Sequence, residues 1–347
     1  MTAKTWVSCT PETVSNSSAV AYFFAQNIQQ HEGVPVGLIE SYWGGTPAEA
    51  WTSLRALSAD ASLMPVFASR SGTVESQATT WLQLDKEARD FERTTTEARG
   101  EGKPAPSKPW HPNFAAWAPA ALYNGMIAPL TPFAIRGVIW YQGESNASAD
   151  RAFLYAHLFQ TMIRDWRRSW GEGDFPFLFV QIANFDATPD TLWPEVRNAQ
   201  RQSLVLRNTG MAVTIDIGSA TQIHPTNKRD VGLRLALAAR AISYGEKIEY
   251  SGPLYRQVTP EDHAVRIWFD HAASGLVAKD GQLKGFEVAG VDRNFSPADA
   301  RIEGPSVLVS SSTVSSPVYV RYGWASNPEC NLYNHEGLPA SPFQSDN

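Results

Sequence analysis

The chain has 347 residues, 43% hydrophobic and 18% charged, which suits a folded protein of one large or two smaller domains and excludes a disordered or coiled-coil chain. Its 29 basic and 35 acidic side chains leave a net charge of −6 with no basic runs, which excludes nucleic acid and an anionic membrane as partners. No apolar run reaches the ~18–20 residues that cross a bilayer, the first residues hold no apolar export signal, and Cys9 and Cys330 alone cannot build a disulfide scaffold or a cysteine-rich zinc site.

Taken in chain order, residues 17–30 place Val20, Phe23, Phe24, Asn27 and Ile28 at helical spacing, with Asn16 or Ser17 as the cap. Residues 34–39 are continuously apolar, as a strand buried on both faces would be, and the same texture returns at 135–140, 177–182 and 211–215. Helical patterns fall at about 77–98, 118–127, 150–170, 193–207 and 226–243. This alternation predicts a three-layer α/β sandwich with a parallel sheet over residues 1–245. The charged stretch 75–101 and the Pro-rich stretch 100–112 read as an insertion, at about 75–113, into that domain. Beyond 245 the pattern changes to short alternating runs at 264–269, 306–309 and 318–322, which predicts a smaller antiparallel β unit over 246–347.

Parallel sheets bind ligands at the carboxyl ends of their strands, so the residues leaving each strand carry the chemistry. The first exit is Glu40-Ser41-Tyr42-Trp43-Gly44-Gly45-Thr46-Pro47, where paired glycines let backbone N–H groups approach an anionic oxygen. The second is Trp140-Tyr141-Gln142-Gly143-Glu144-Ser145-Asn146, whose polar side chains behind an apolar strand serve either as satisfied structural polarity or as a binding site. The third, Gln222-Ile223-His224-Pro225-Thr226-Asn227-Lys228, puts a histidine on the expected first turn of a helix facing the strand ends. Nucleotide-binding glycine motifs, a GxSxG elbow and a His-Glu-x-x-His site are absent, and the other histidines lack ligand spacing, so neither a metal nor another cofactor is expected.

These blocks, with residues 35–51, 122–130 and the end of the chain at 320–325 and 337–343, closely resemble the sialate O-acetylesterase family of SGNH hydrolases. The resemblance spans nearly the whole chain. It implies a flavodoxin-like sheet and a serine-type esterase that removes acetyl groups from acetylated carbohydrates. By block matching, Gly44 or Gly45 and Gln142, with Asn146 as the alternative, would be oxyanion donors, His224 the base, and Glu144 an orienting residue behind Gln142 or His224. Trp43, Trp51, Trp140 and Tyr141 would be available to stack on sugar faces. By resemblance alone the protein would be secreted or periplasmic.

Two departures from the family pattern shape the expectations. The family's Gly-Gln-Ser-Asn nucleophile block and the β domain before it have no counterpart here, which leaves Ser145, and after it Ser41, as substitutes. Thr221 and Gln222 stand where an Asp usually orients the base, so Glu144 or Asp216 would take that part. A sheet without its first core strand has an unpaired edge, which predicts a homo-oligomer or a partner chain that supplies the strand. A non-catalytic sugar-binding remnant is the rival reading, and glycoside hydrolysis by Glu40 and Glu144 a weaker one.

Overall fold

The structure, a computed structural model, describes residues 6–68, 77–106, 115–188 and 191–346, with side chains from residue 85 onward in the helix that opens the second stretch. The 107–112 part of the predicted Pro-rich loop lies outside the described residues. Its helical part is observed as one long helix, Gln77–Gly100.

A three-stranded parallel sheet of β1 (Val138–Trp140), β2 (Phe177–Val180) and β3 (Thr209–Ala212) forms the centre of the first part of the chain. Alternation along β2 divides its side chains between two cores, because successive strand residues point to opposite faces. Phe177 and Phe179 face Tyr155, Phe159 and Met162, whereas Leu178 and Val180 face Ile28, Val231 and Leu235. The first core is built by helices Tyr155–Trp170 and Trp193–Gln202, and the second by Ala19–Glu32 and Lys228–Ser243. With the short Leu54–Ser58 and the long Gln77–Gly100 these are α1 (19–32), α2 (54–58), α3 (77–100), α4 (155–170), α5 (193–202) and α6 (228–243). Layers of helix, sheet and helix result, as the alternating pattern predicted. At Gly232 a Cβ would stand 2.8 Å from the Phe23 Cβ and from the Val20 carbonyl oxygen, so α1 and α6 touch backbone to backbone only because that residue has no side chain.

One expected strand is missing. Residues 34–39 are extended but pair with no strand among the described residues, and Val34 and Ile39 are 39% and 42% exposed. An unbroken apolar run reports burial only when neighbours exist on both sides, and among the described residues no strand stands beside this one. The edge of β1 that does not pair with β2 is likewise without a partner among the described residues.

Helix ends move by a few residues. Ser18 caps α1, its hydroxyl accepting the Ala21 N–H at 3.3 Å, in place of the expected Asn16 or Ser17. The predicted helix 118–127 is mainly a widened turn at Tyr123–Ile127 followed by Ala128–Leu130.

Three antiparallel sheets follow: β4 (Leu254–Glu261), β5 (Ala264–Asp270), β10 (Ser306–Ser310) and β9 (Asp299–Glu303) in that order; β13 (Phe343–Gln344), β11 (Tyr319–Tyr322), β7 (Phe286–Ala289) and β8 (Ser296–Pro297); and the pair β12 (Leu332–Asn334) with β6 (Leu276–Ala278). They enclose their own core around Val265, Ile267, Val307, Val320 and Phe343.

Arg197 of α5 joins this core to the parallel sheet. It is fully buried and lacks a carboxylate partner among the described residues, yet its guanidinium donates to the carbonyls of Ile182 and Ala183 after β2 and of Ala325 and Ser326 after β11, at 2.7–2.9 Å. Burial pushes its pKa down to about 9. Replacing Arg197 by Leu strands the carbonyls of Ile182 and Ala325, while those of Ala183 and Ser326 keep the Trp193 indole and the Phe185 N–H, so we expect a loss of about 2 kcal/mol or more in chemical denaturation, given ~1–3 kcal/mol for each unmet buried group. A loss below ~1 kcal/mol would show that water replaces the guanidinium.

Candidate active site

The loop that carries Gly44 and Gly45 is held by its carbonyls. Thr46 Oγ1 donates to the Trp43 carbonyl at 2.7 Å, Trp117 Nε1 to the Gly45 carbonyl at 2.6 Å, and Gln142 Nε2 to the Thr46 carbonyl at 3.1 Å. Trp51 Nε1 in turn donates to Thr46 Oγ1 at 2.9 Å. Gly45 takes the left-handed φ of +70° that glycine accepts without strain. Among the described residues, nothing accepts the backbone N–H of Trp43, Gly44 or Gly45, while that of Thr46 turns back toward the Trp43 carbonyl. Tied carbonyls and free amides are the arrangement that binds an anionic oxygen.

The second block packs against this loop. Asn146 is wholly buried; its Oδ1 accepts from the Ala48 N–H at 2.9 Å and from Gln142 Nε2 at 2.7 Å, and its Nδ2 donates to Glu49 at 2.9 Å. Arg151 Nε completes the chain with a 3.1 Å bond to the other Glu49 oxygen. Burial raises the pKa of Glu49, and Arg151 and Asn146 oppose that rise. Gln142 is further held through its side-chain and main-chain oxygens by Tyr155 and Gln200. Asn146 is therefore tied into the protein through both ends of its amide. Both hydrogens of the Gln142 amide are committed as well, to the Thr46 carbonyl and to Asn146. Gly143 leaves no room for a side chain, since a Cβ there would meet Ile182 Cγ2 at 2.7 Å.

Glu144 takes the opposite course. It is half-buried, in the turn Glu144–Asn146 that follows β1, and its carboxylate has no hydrogen-bonded side-chain partner among the described residues. Burial raises its pKa, while the nearby charges of His224 and Lys228 lower it. Lys228, the first residue of α6, holds its ammonium 5.0 Å from the Tyr141 ring centroid. Glu144, His224, Lys228 and Tyr141 thus form one electrostatic group. Ser145 lies half-buried beside Glu144.

His224 is not on the first turn of a helix. Asn227 caps α6 by accepting the Asp230 N–H at 3.2 Å, which leaves His224 exposed in the preceding loop with no hydrogen bond to its ring among the described residues. Asp216 does not orient it, because both Asp216 oxygens are taken by Arg234 at 2.6 and 2.7 Å. What fixes the loop is Asn184, beyond β2. Its Oδ1 accepts the Gly218 N–H at 2.9 Å, its carbonyl accepts the Ser219 N–H at 3.2 Å, and its Nδ2 donates to Asn327 at 2.7 Å.

Other candidates are absorbed elsewhere. The Glu40 carboxylate accepts the Ser18 N–H at the start of α1, which removes it from a two-carboxylate glycosidase site. Ser41 donates to the Met126 carbonyl at 3.3 Å. Trp51 and Trp140 are buried edge to face, 5.8 Å between centroids, and cannot stack on a sugar; Trp43, 46% exposed, can. Sequence reasoning passed over Trp117, Arg151, Asn184 and Asn327, because their roles arise from contacts across 72 to 143 positions of chain.

Residues 107–243 match the family described as carbohydrate esterase, sialic acid-specific acetylesterase. The sialate O-acetylesterase of Rattus norvegicus is 30% identical over 94% of this chain and 63% of its own length, and that of Homo sapiens 30% identical over 94% and 60%. The crystal structure of a carbohydrate acetylesterase from Xanthomonas citri superposes with a TM-score of 0.79 at 39% identity, over 97% of this chain and 67% of that one. The chain belongs to the sialate O-acetylesterase family. It spans somewhat less than two thirds of the length of the curated relatives named here.

Two outcomes follow for this family member. In Gly218→Ala the new Cβ would sit 2.1 Å from Asn184 Oδ1. The His224 loop must then shift, with an expected cost of about 1–3 kcal/mol in unfolding free energy. Glu144→Gln removes a carboxylate whose pKa is raised by burial, so ionised Glu144 costs stability above its folded pKa and nothing below its unfolded one. The variant should be more stable than the parent at neutral pH, with the advantage shrinking as pH falls and gone by about pH 4, below the ordinary glutamate range, in denaturant titrations. A gain that persists at pH 4 would refute this account.

Proposed function

We propose that this chain is the sugar-ester-binding α/β part of a carbohydrate O-acetylesterase of the SGNH type, acting on acetylated sugars through a serine nucleophile. The observation that carries the reading is the run of free amides at Gly44 and Gly45, whose neighbouring carbonyls are tied down by side chains. Acyl transfer places negative charge on the carbonyl oxygen in the tetrahedral state, and fixed N–H groups aimed at that position lower its energy by about 3–4 kcal/mol per donor.

In this mechanism a serine Oγ attacks the acetyl carbonyl, His224 accepts its proton and then returns it to the sugar oxygen as the leaving group departs. Glu144 stabilises the imidazolium through its charge, and Gln142 supports the oxyanion loop from below. The domain division follows the two core regions, residues 1–245 and 246–347, with the second bracing the His224 loop through Asn327 and Asn184.

For the nucleophile, the unpaired edge of β1 and the exposed extended segment 34–39 favour a further strand between them, carried by polypeptide outside these residues, by a second copy or by a partner chain. Ser145 is the nearest serine in the chain to Glu144 and stands as its substitute. A second reading, a sugar-binding subunit without turnover, is favoured by one observation: Asp216 is engaged by Arg234 and not by His224.

Acetate release from O-acetylated sialic acid and from p-nitrophenyl acetate separates the two. Esterase activity that falls by at least ~10³-fold in His224→Ala supports the first, by analogy with loss of a triad member. Binding of the sugar with no acetate released, from protein that light scattering shows to be assembled, supports the second.

A further inference from the structure

We infer that Trp117 and Arg151 are positioning residues for the oxyanion loop, acting through the carbonyl of Gly45. The inference deepens the esterase reading and rests on it for what the loop binds.

A peptide group is planar, with its C=O and the following N–H pointing in opposite directions. Holding a carbonyl therefore aims the next amide. The bond from Thr46 Oγ1 to the Trp43 carbonyl aims the Gly44 N–H, and the bond from Trp117 Nε1 to the Gly45 carbonyl, 2.6 Å, aims the Thr46 N–H. Thr46 is only 3% exposed, and its N–H turns back toward the Trp43 carbonyl across the turn at Gly44 and Gly45. The bond from Trp117 therefore closes that turn, and the free Gly44 and Gly45 amides on it depend on a tryptophan 72 positions from Gly45.

Trp117 is itself held. The Arg151 guanidinium lies 5.1 Å from the Trp117 ring centroid and bonds to Glu49, which bonds to Asn146, which bonds to Gln142, which returns to the Thr46 carbonyl. The contacts close a circuit that begins at the Gly45 carbonyl and ends at the Thr46 carbonyl. Both ends of the Thr46 residue are thereby fixed from one set of side chains. Arg151 serves it twice, keeping the indole in place from its face and keeping buried Glu49 paired. The ring requires Arg at 151, since a planar cation can stack and bond at once.

The test uses Trp117→Phe, which keeps the ring under Arg151 and removes only the N–H, together with Arg151→Lys and the double variant. Two readouts are taken from each: kinetics of acetate release, and amide spectra of protein labelled with ¹⁵N at Gly and Thr. Trp117→Phe should displace the Thr46 and Gly45 resonances and leave those of Gly245 and Gly304 in place. It should lower kcat about tenfold, less than the ~10²–10³ lost when a donor is deleted outright, with KM changed less than twofold. The double variant should fall no more than about twofold below the worse single one, since both act through one circuit. Unmoved Thr46 and Gly45 resonances in both single variants, or a drop in KM-linked binding with kcat intact, would overturn the inference. Should the unaltered protein release no acetate, the esterase reading fails, and the amide spectra still decide whether Trp117 and Arg151 hold the loop.

Discussion

The site depends on side-chain hydrogen bonds doing what a β-ladder does elsewhere. Residues 34–39 and β1 share no ladder, so the backbone does not fix the loop at 43–49 against the exit of β1. Gln142 and Asn146 fix it instead, reaching the Thr46 carbonyl, the Ala48 N–H and the Glu49 carboxylate. Each of these bonds is made inside the protein, where a bond is stronger than in water and an unmade one costs more. The network is therefore all-or-none: removing Asn146 would leave the Ala48 N–H and one Glu49 oxygen unpaired at once. Such cooperativity is a reason to find two amides and a carboxylate buried together at a place where apolar packing would give more stability and less precision.

Much of the architecture was legible in the sequence because burial leaves a period. β2 is apolar on both faces and falls inside the expected 177–182, whereas β3 overlaps the expected 211–215 only at Met211 and Ala212; α4 and α6 carry apolar stripes and lie within a few residues of their expected ends. Residues 34–39 misled for a physical reason. Apolar continuity measures what a segment is suited to pack against, and Val34 and Ile39 retain that character while exposed. The helix start at His224 was misplaced because proline at the first turn and asparagine at the cap give competing signals. The Asn227 side chain satisfies an orphan N–H, which Pro225 cannot do, and so the helix begins at Lys228.

The polar cluster at 142–146 was readable only as an alternative between structure and binding, and the fold divides it by residue. Asn146 is sealed in, whereas Glu144, two positions earlier, is half-buried and feels the charges of His224 and Lys228. A turn of three residues is enough to send them opposite ways, and nothing in composition distinguishes them. The long-range partners, Trp117 to Gly45 and Asn327 to Asn184, were not readable at all, because a single hydrogen bond across the chain leaves no periodic trace.

Charge in this region is arranged at a cost to stability. Among the described residues Arg197 is buried without a carboxylate partner and Glu144 is half-buried without a hydrogen-bonded side chain, and both have their charged forms disfavoured by burial. Arg197 feels the charge of Glu144, and Glu144 those of His224 and Lys228. A fold selected for stability alone would replace such groups with apolar ones. Asp216 is spent on Arg234 and no acid occupies positions 221 and 222, so in the mechanism proposed above Glu144 is the anion set against His224. An imidazole that takes a proton needs a nearby negative charge in that step. In that proposal Glu144 supplies it from the turn after β1, and its burial leaves that charge less screened than it would be in water.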